Sequence, residues 1–464
     1  MLAGFASIAW WITKDPVRDL VMSVPGMDNR GKGVEKNLDI KIGEFFDAFK
    51  TMDSDLSETW PRFRGEYFDN ISRSTVPLID SFASMGPEIK WQVKLGEGHG
   101  GAAIYKGKVY ILDYNEESRS DMLRCFDLVT GTELWRRWYK VAIKRNHGMS
   151  RTVPAVSEEY ILTIGPRGHV MCVDRESGDF LWGLNLEKDY NSEVPFWYTG
   201  QCPLMDNGLA IIASGGSSMM VAVDCSSGEI VWQTPNDLQW GMSHSSVMPY
   251  TFDGEKMYVY SAIGGACGIR AEGPDAGEIL WSTTEWKQNV VAPSPVCLPD
   301  GKIFLSAGYG AGSMVLQLKR DGSRFSVSVL QEYSPKEGLA SEQQTPIVYK
   351  GHLLGILPKD AGPLRNQLIC VNPADFTKVV WSSGPTVRFG LGPFMIADNK
   401  LFILSDDGTL TMARPSVEEY IELDSYRVIE EGADAWAPLA LADGYMVLRD
   451  SETMLCLDIA KNRN

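Results

Sequence analysis

The sequence is poor in histidine, in basic clusters and in adjacent cysteines, and each scarcity narrows what the chain does. Five histidines stand in 464 residues, and 44 Lys and Arg against 60 Asp and Glu leave a formal charge of −16. A polyanion is bound by clustered positive charge, and the longest basic stretch is RRWYKVAIKR at 136–145, so nucleic acid is excluded as a partner class. The apolar run from Leu2 to Ile12 is shorter than the roughly 20 residues that cross a bilayer. No Lys or Arg precedes it and no convincing A-x-A site follows it, which fits a simple signal peptide poorly. Trp10, Trp11 and Lys14 have the order of the interfacial end of a membrane helix. The expectation for residues 1–12 is therefore a truncated membrane anchor, with a signal segment or a packed helix as the alternatives. It places the domain outside the cytoplasm, on the periplasmic side of an inner membrane.

What is abundant points to strands. A hydrophobic content of 44% supports a large core, and 45 Gly, 14 Trp and 17 Tyr spread along the chain suit short strands and tight turns. CFDLVTGTELW (125–135) returns as CVDRESGDFLW (172–182), AVDCSSGEIVW (222–232) and AEGPDAGEILW (271–281). ICVNPADFTKVVW (369–381) carries an insertion, and eroded copies stand at 316–330, 411–423 and 455–464, eight in all. Each reads as a strand, a turn whose Gly supplies φ > 0, and a second strand ending in Trp. In front of each copy lies another hairpin, anchored at Ala102, Pro154, Pro203, Pro249, Pro295, Pro346, Pro393 and Pro438, 45 to 52 residues apart. Four strands at this period make a propeller blade.

The last copy stops after its third strand, LCLDI, and the missing fourth strand stands at the other end as EIKWQVKL, residues 88–95. The spacing predicts an all-β, eight-bladed propeller of four-stranded antiparallel blades over 58–464, closed when strand 88–95 completes the C-terminal blade and removes the open edge. Residues 13–57 read as a linker. Within it KIGEFFDAFKTM, 41–52, sets Ile42, Phe45, Phe46 and Phe49 at helical spacing and predicts a short amphipathic helix, docked on the domain or on a partner.

Repeats of the form C-x-D-x-x-[ST]-G-x-x-L-W preceded by apolar hairpins resemble the pyrroloquinoline quinone (PQQ)-like β-propeller repeat. That repeat is shared by quinoprotein alcohol dehydrogenases and the propeller lipoprotein of the outer-membrane barrel-assembly machine. WPRFRGEYFDN, 60–70, is similar to the WPxFRG opening of the non-dehydrogenase bacterial branch. In the dehydrogenases, the resemblance implies PQQ held between a tryptophan floor and two adjacent cysteines, beside a calcium ion bound by Glu, Asn and Asp. This chain has no Cys-Cys pair, so no cofactor is expected, with PQQ and calcium as the alternative. Cys125, Cys172, Cys370 and Cys456 share one third-strand position and read as buried thiols. Cys202, Cys225, Cys267 and Cys297 are less regular and leave one disulfide open.

In a propeller the loops leading into the innermost strands converge on one mouth of the central channel. Residues just before the eight anchors therefore face one funnel: His99; His147, Ser150 and Arg151; Trp197, Tyr198 and Gln201; Trp240 and His244. The later blades add Asn289; Glu342, Gln343 and Gln344; Arg388; and Asp434 and Trp436. Aromatic walls with a few polar groups are what a small-ligand site requires. His147 and Arg151 are the catalytic candidates, as a base or metal ligand and as a carboxylate or sulfate grip. The structural alternative is that His147 bonds a loop carbonyl and Arg151 pairs with an acid of a neighbouring blade. A zinc site of His99, His147 and His244 spans four blades and is disfavoured, so no metal is expected. SGGSS (214–218), AGYGAGS (307–313) and SDDGT (405–409) read as β-turns.

The function these features favour is a non-catalytic, monomeric scaffold that binds a small polar or anionic ligand, or a partner protein, through its funnel. The alternatives are a divergent quinoprotein oxidoreductase and an enzyme acting on a glycan or another anionic substrate.

Overall fold

The computed structural model describes residues 39–82 and 84–461. The anchor or signal segment expected over 1–12, and most of the linker, lie outside them. The described chain forms eight antiparallel sheets, seven of four strands and one of six. Blade 1 is built on Ala103–Tyr105, Lys108–Asn115, Ser120–Asp127 and Glu133–Lys140. Blades 2 to 8 follow at 155–185, 204–235, 248–283, 296–333, 347–382, 394–427 and 440–458. Glu88–Lys94 pairs antiparallel with Thr453–Asp458, so the N-terminal strand completes blade 8 as the repeat register predicts. Among the described residues no helix is long and apolar enough to cross a membrane.

The repeated Gly and Trp have one physical reason. Trp91, Trp135, Trp182 and Trp232 each pack on the turn Gly of the next blade, Gly131, Gly178, Gly228 and Gly277. A Cβ on Gly228, whose φ is +75°, would lie 2.7 Å from the Trp182 ring, and one on Gly131 would lie 2.4 Å from Trp91. The indole N–H groups of Trp182 and Trp91 donate to the carbonyls of Cys225 and Leu128, each at 2.8 Å. The second pair joins blade 8 to blade 1, so the ring closes with the same latch used inside it. The cores lie between neighbouring blades: Cys172 and Trp182 of blade 2 are buried with Met205, Val223 and Cys225 of blade 3. Cys125, Cys172, Cys370 and Cys456 are buried in such cores, and all eight cysteines are free thiols, so no disulfide joins Cys202, Cys225, Cys267 and Cys297.

The helix expected over 41–52 is a correction: Phe45–Ala48 is a strand on the outer edge of blade 1, with Phe45 opposite Trp138 and Asp47 opposite Arg136. An isolated helix of a dozen residues is marginal, whereas an open sheet edge offers a ready ladder. Side chains fix the choice. Phe45 stacks on Trp138 at 4.3 Å, and the Asp47 carboxylate accepts from Arg136 at 2.8 Å and from the Trp138 indole at 3.0 Å.

The WPRFRG segment runs along the inner wall of the channel. Thr59–Trp60 pairs with the innermost strand of blade 1, and the Pro61 carbonyl accepts from Val156 of blade 2 at 2.8 Å. Arg62 donates to Met205 O of blade 3, and Asn70 to Phe394 O of blade 7. Arg64 is 4% exposed and is satisfied by three carbonyls, those of Phe68, Thr345 and Pro346. Gly65 has φ +78° and a Cβ there would sit 2.9 Å from the Trp60 ring, which is why the segment turns at a glycine. The segment thereby ties blades on opposite sides of the ring and delivers Phe63 to the base of the funnel.

Candidate functional site

Antiparallel alternation puts two sets of loops at one end of the ring: those leading into each innermost strand, and those joining second to third strands. Together they enclose a funnel cavity of about 200 Å³. Of the sixteen residues read from the sequence, His99, His147, Arg151, Trp197, His244, Glu342, Gln343, Gln344 and Trp436 line it. Two aromatic groups form its sides. On one, Trp436 lies 5.0 Å from the His99 ring and 5.4 Å from His147. On the other, Trp197 stacks on Tyr309 at 5.6 Å and meets His244 at 6.2 Å.

Arg151 joins the two groups. Its Nε donates to the Trp197 carbonyl at 2.6 Å, and one terminal nitrogen donates to the carbonyls of His147 and Gly148. The acid partner of the structural alternative is absent: among the described residues no carboxylate lies within ion-pair distance of Arg151. Asp434 instead faces His147, at 4.0 Å. Burial, then the charges of Arg151 and Arg449, push the His99 imidazole down to about 2, and burial and Arg151 bring His244 to about 3. Both are neutral near pH 7. His99 is 8% exposed with its imidazole against the His147 backbone, and Nε2 of His244 makes no hydrogen bond. Burial raises the Glu342 carboxyl, an effect Asp360 strengthens and Lys359 opposes. The Lys359 ammonium lies 5.7 Å from the centre of the Trp436 ring.

The other sequence-read residues brace the funnel instead of lining it. Ser150 is buried and its carbonyl accepts from the His99 backbone at 2.7 Å. The Tyr198 hydroxyl donates to Lys144 O, and the Gln201 amide bonds both backbone groups of Ala213. Trp240 is buried against Gly264 and Gly265, and Arg388 fastens the loop carbonyls of Pro363, Arg365 and Pro385. Asn289 is exposed beside the lining residue Val290. Position before an anchor places a residue at the mouth, but the side chain's direction depends on its loop.

Sequence reasoning missed Phe63, Tyr309, Lys359 and Leu391. Tyr309 lies in AGYGAGS and Lys359 in the corresponding loop of blade 6. Strand alternation alone could have placed both at this mouth. Phe63 arrives with the channel segment, which no repeat register locates. Several funnel loops also carry backbone strain: His147, Tyr198 and Tyr309 have φ of 50°, 73° and 58°. Bulky residues hold such angles only where the surroundings impose them, and such strain clusters at ligand sites.

The Cys202 thiol is held in its protonated form. Cys202, pushed up to about 11 by burial, accepts from the Val153 backbone, and Ser246 accepts from the Cys202 backbone at 3.0 Å. Among the described residues no three or more His, Cys, Asp or Glu side chains are placed to hold a metal ion.

Residues 119–375 match the family model described as outer membrane protein assembly factor BamB. None of the curated proteins matches this sequence. Of the solved structures, BamB from Moraxella catarrhalis is 12% identical over 81% of this chain and 99% of that one, with a TM-score of 0.53. A europium-containing methanol dehydrogenase is 11% identical over 84% and 89%, with a TM-score of 0.55. At these identities the likeness is one of fold. The family match covers more than half of the chain and falls on the repeat and latch described above, so the protein belongs to the PQQ-like β-propeller family of the outer membrane protein assembly factor BamB.

Proposed function

We propose that this protein is a non-catalytic binding scaffold whose funnel takes a small anionic ligand on Arg151. One observation carries the reading: a half-buried guanidinium, clamped by backbone carbonyls between two aromatic groups, has no carboxylate partner among the described residues. Nε and one terminal nitrogen are taken by those carbonyls, which leaves the N–H donors of the other terminal nitrogen for an anion. The unbonded Nε2 of buried His244 supports it, because buried polar groups are normally hydrogen-bonded. The residues do not fit a calcium-held quinone: the paired cysteines are absent, and among the described residues no three His, Cys, Asp or Glu side chains are grouped to hold a cation. The test is calorimetry of the full chain with small carboxylates and sulfate. Binding is expected, and Arg151→Met is expected to weaken it about 10- to 100-fold, the range for a charge-assisted bond of roughly 1.5–3 kcal/mol. Absence of binding by every anion, or binding indifferent to Arg151→Met, overturns the reading.

A protein partner is the second reading. The matched family is described as an assembly factor, and outer strands expose neighbouring apolar side chains, Phe180 with Leu181 and Ile230 with Val231.

A further inference from the structure

The funnel has two electrostatic ends. Arg151 marks one, between the Trp197 carbonyl and the His147 loop. At the other, Glu342 lines the same cavity, and among the described residues no cation lies within ion-pair distance of its carboxylate. The adjacent Asp360 adds negative charge, with both carboxylate oxygens buried and unbonded. Tyr309 stands between the ends. Its phenol is raised to about 12 by burial and by Glu342, while Arg151 acts on it in the opposite sense. It is held there at φ 58°, a backbone angle unfavourable to an aromatic residue, so its position is imposed by the fold. The Trp436 face already carries the Lys359 ammonium of an exposed side chain, so it accepts a positive charge and can exchange it for another.

We infer that the funnel binds a zwitterion, a small amino carboxylate with an apolar body, its carboxylate on Arg151 and its ammonium on Glu342 against the faces of Trp436 and Tyr309. This rests on the reading of Arg151 as an anion site and adds the second charge. The two ends complement each other: a lone anion leaves Glu342 opposed to it, and a lone cation is repelled by Arg151. The apolar body fits between the aromatic walls, above Phe63. A site with buried groups of both signs discriminates through the group that a wrong ligand leaves unpaired.

The experiment uses two matched sets on the full chain: phenylalanine, 3-phenylpropionate and 2-phenylethylamine; and 5-aminovalerate, valerate and pentylamine. Calorimetry is expected to show the zwitterion of at least one set binding about ten-fold or more tightly than its anion and its amine. Glu342→Gln is expected to remove that advantage, bringing zwitterion and anion to within about two-fold of each other, and Arg151→Met to weaken both. If an anion binds as tightly as its zwitterion in both sets, or Glu342→Gln leaves the preference intact, the zwitterion assignment falls while the Arg151 site stands. If no member of either set binds, the zwitterion assignment falls, and the Arg151 site stands or falls separately by the titration with small carboxylates and sulfate.

Discussion

Asp121, Tyr139 and His169 form a buried chain of polar groups away from the funnel. The Tyr139 hydroxyl donates to Asp121 at 2.7 Å and lies 3.2 Å from His169 Nδ1. The second oxygen of Asp121 and Nε2 of His169 have no partner. Burial raises Asp121, 1% exposed, to about 7 and lowers His169 to about 3. The consequences for stability have opposite signs. Asp121 binds its proton more tightly folded than unfolded, so its stabilising contribution is full in acid and is lost as pH rises through about 7. His99, His169 and His244 bind theirs more tightly unfolded, so stability falls as pH drops below their ordinary 6.5. Three imidazoles outweigh one carboxyl. The denaturant midpoint is therefore expected to fall between pH 7 and pH 5. In Asp121→Asn the opposing contribution disappears, and the fall is expected to grow by on the order of 2 kcal/mol. A smaller fall in the variant refutes the assignment of a neutral buried Asp121.

At the scale of the element, the repeated turn glycine serves two purposes that substitution can separate. Gly254 and Gly228 have similar φ, +79° and +75°, but a Cβ at Gly254 meets nothing within 4 Å while one at Gly228 strikes Trp182. Gly254→Ala is expected to cost about 1 kcal/mol through the left-handed backbone alone. Gly228→Ala adds the displaced indole and is expected to cost about 3 kcal/mol in urea unfolding. Equal costs show that the latch is not a packing constraint. The strand Phe45–Ala48 marks the limit of pattern reading at this scale. Phe45, Phe46 and Phe49 suit one face of a helix, yet only the nearby Arg136 and Trp138, some ninety residues onward, make the extended form better.

For the whole molecule, closure is decided at one seam. Trp91 carries the latch between blade 8 and blade 1, and it lies on the strand that completes blade 8 from the other end of the chain. Trp91→Ala is expected to cost about 3–5 kcal/mol. Hydrogen exchange is expected to show amides 88–94 and 453–458 opening before those of blades 3 to 6. Uniform exchange across all blades rejects closure at this seam as the weak point. The channel segment works at the same scale: Arg62, Arg64 and Asn70 reach blades 3, 6 and 7, which no local sequence signal links.

By itself the sequence determined the period, the blade count and the strand that closes the ring. Gly at a left-handed turn and Trp at the end of a strand are local requirements, repeated wherever the unit repeats. It also named nine lining residues of the funnel, because position within a repeat sets which end of the channel a loop reaches. Only the tertiary structure decided that Arg151 is held by carbonyls and meets no acid among the described residues, and that Phe63, Tyr309 and Lys359 line the same cavity. Those outcomes depend on distances between blades far apart in the chain and on the direction each loop gives its side chain, and both are fixed only when the ring is shut.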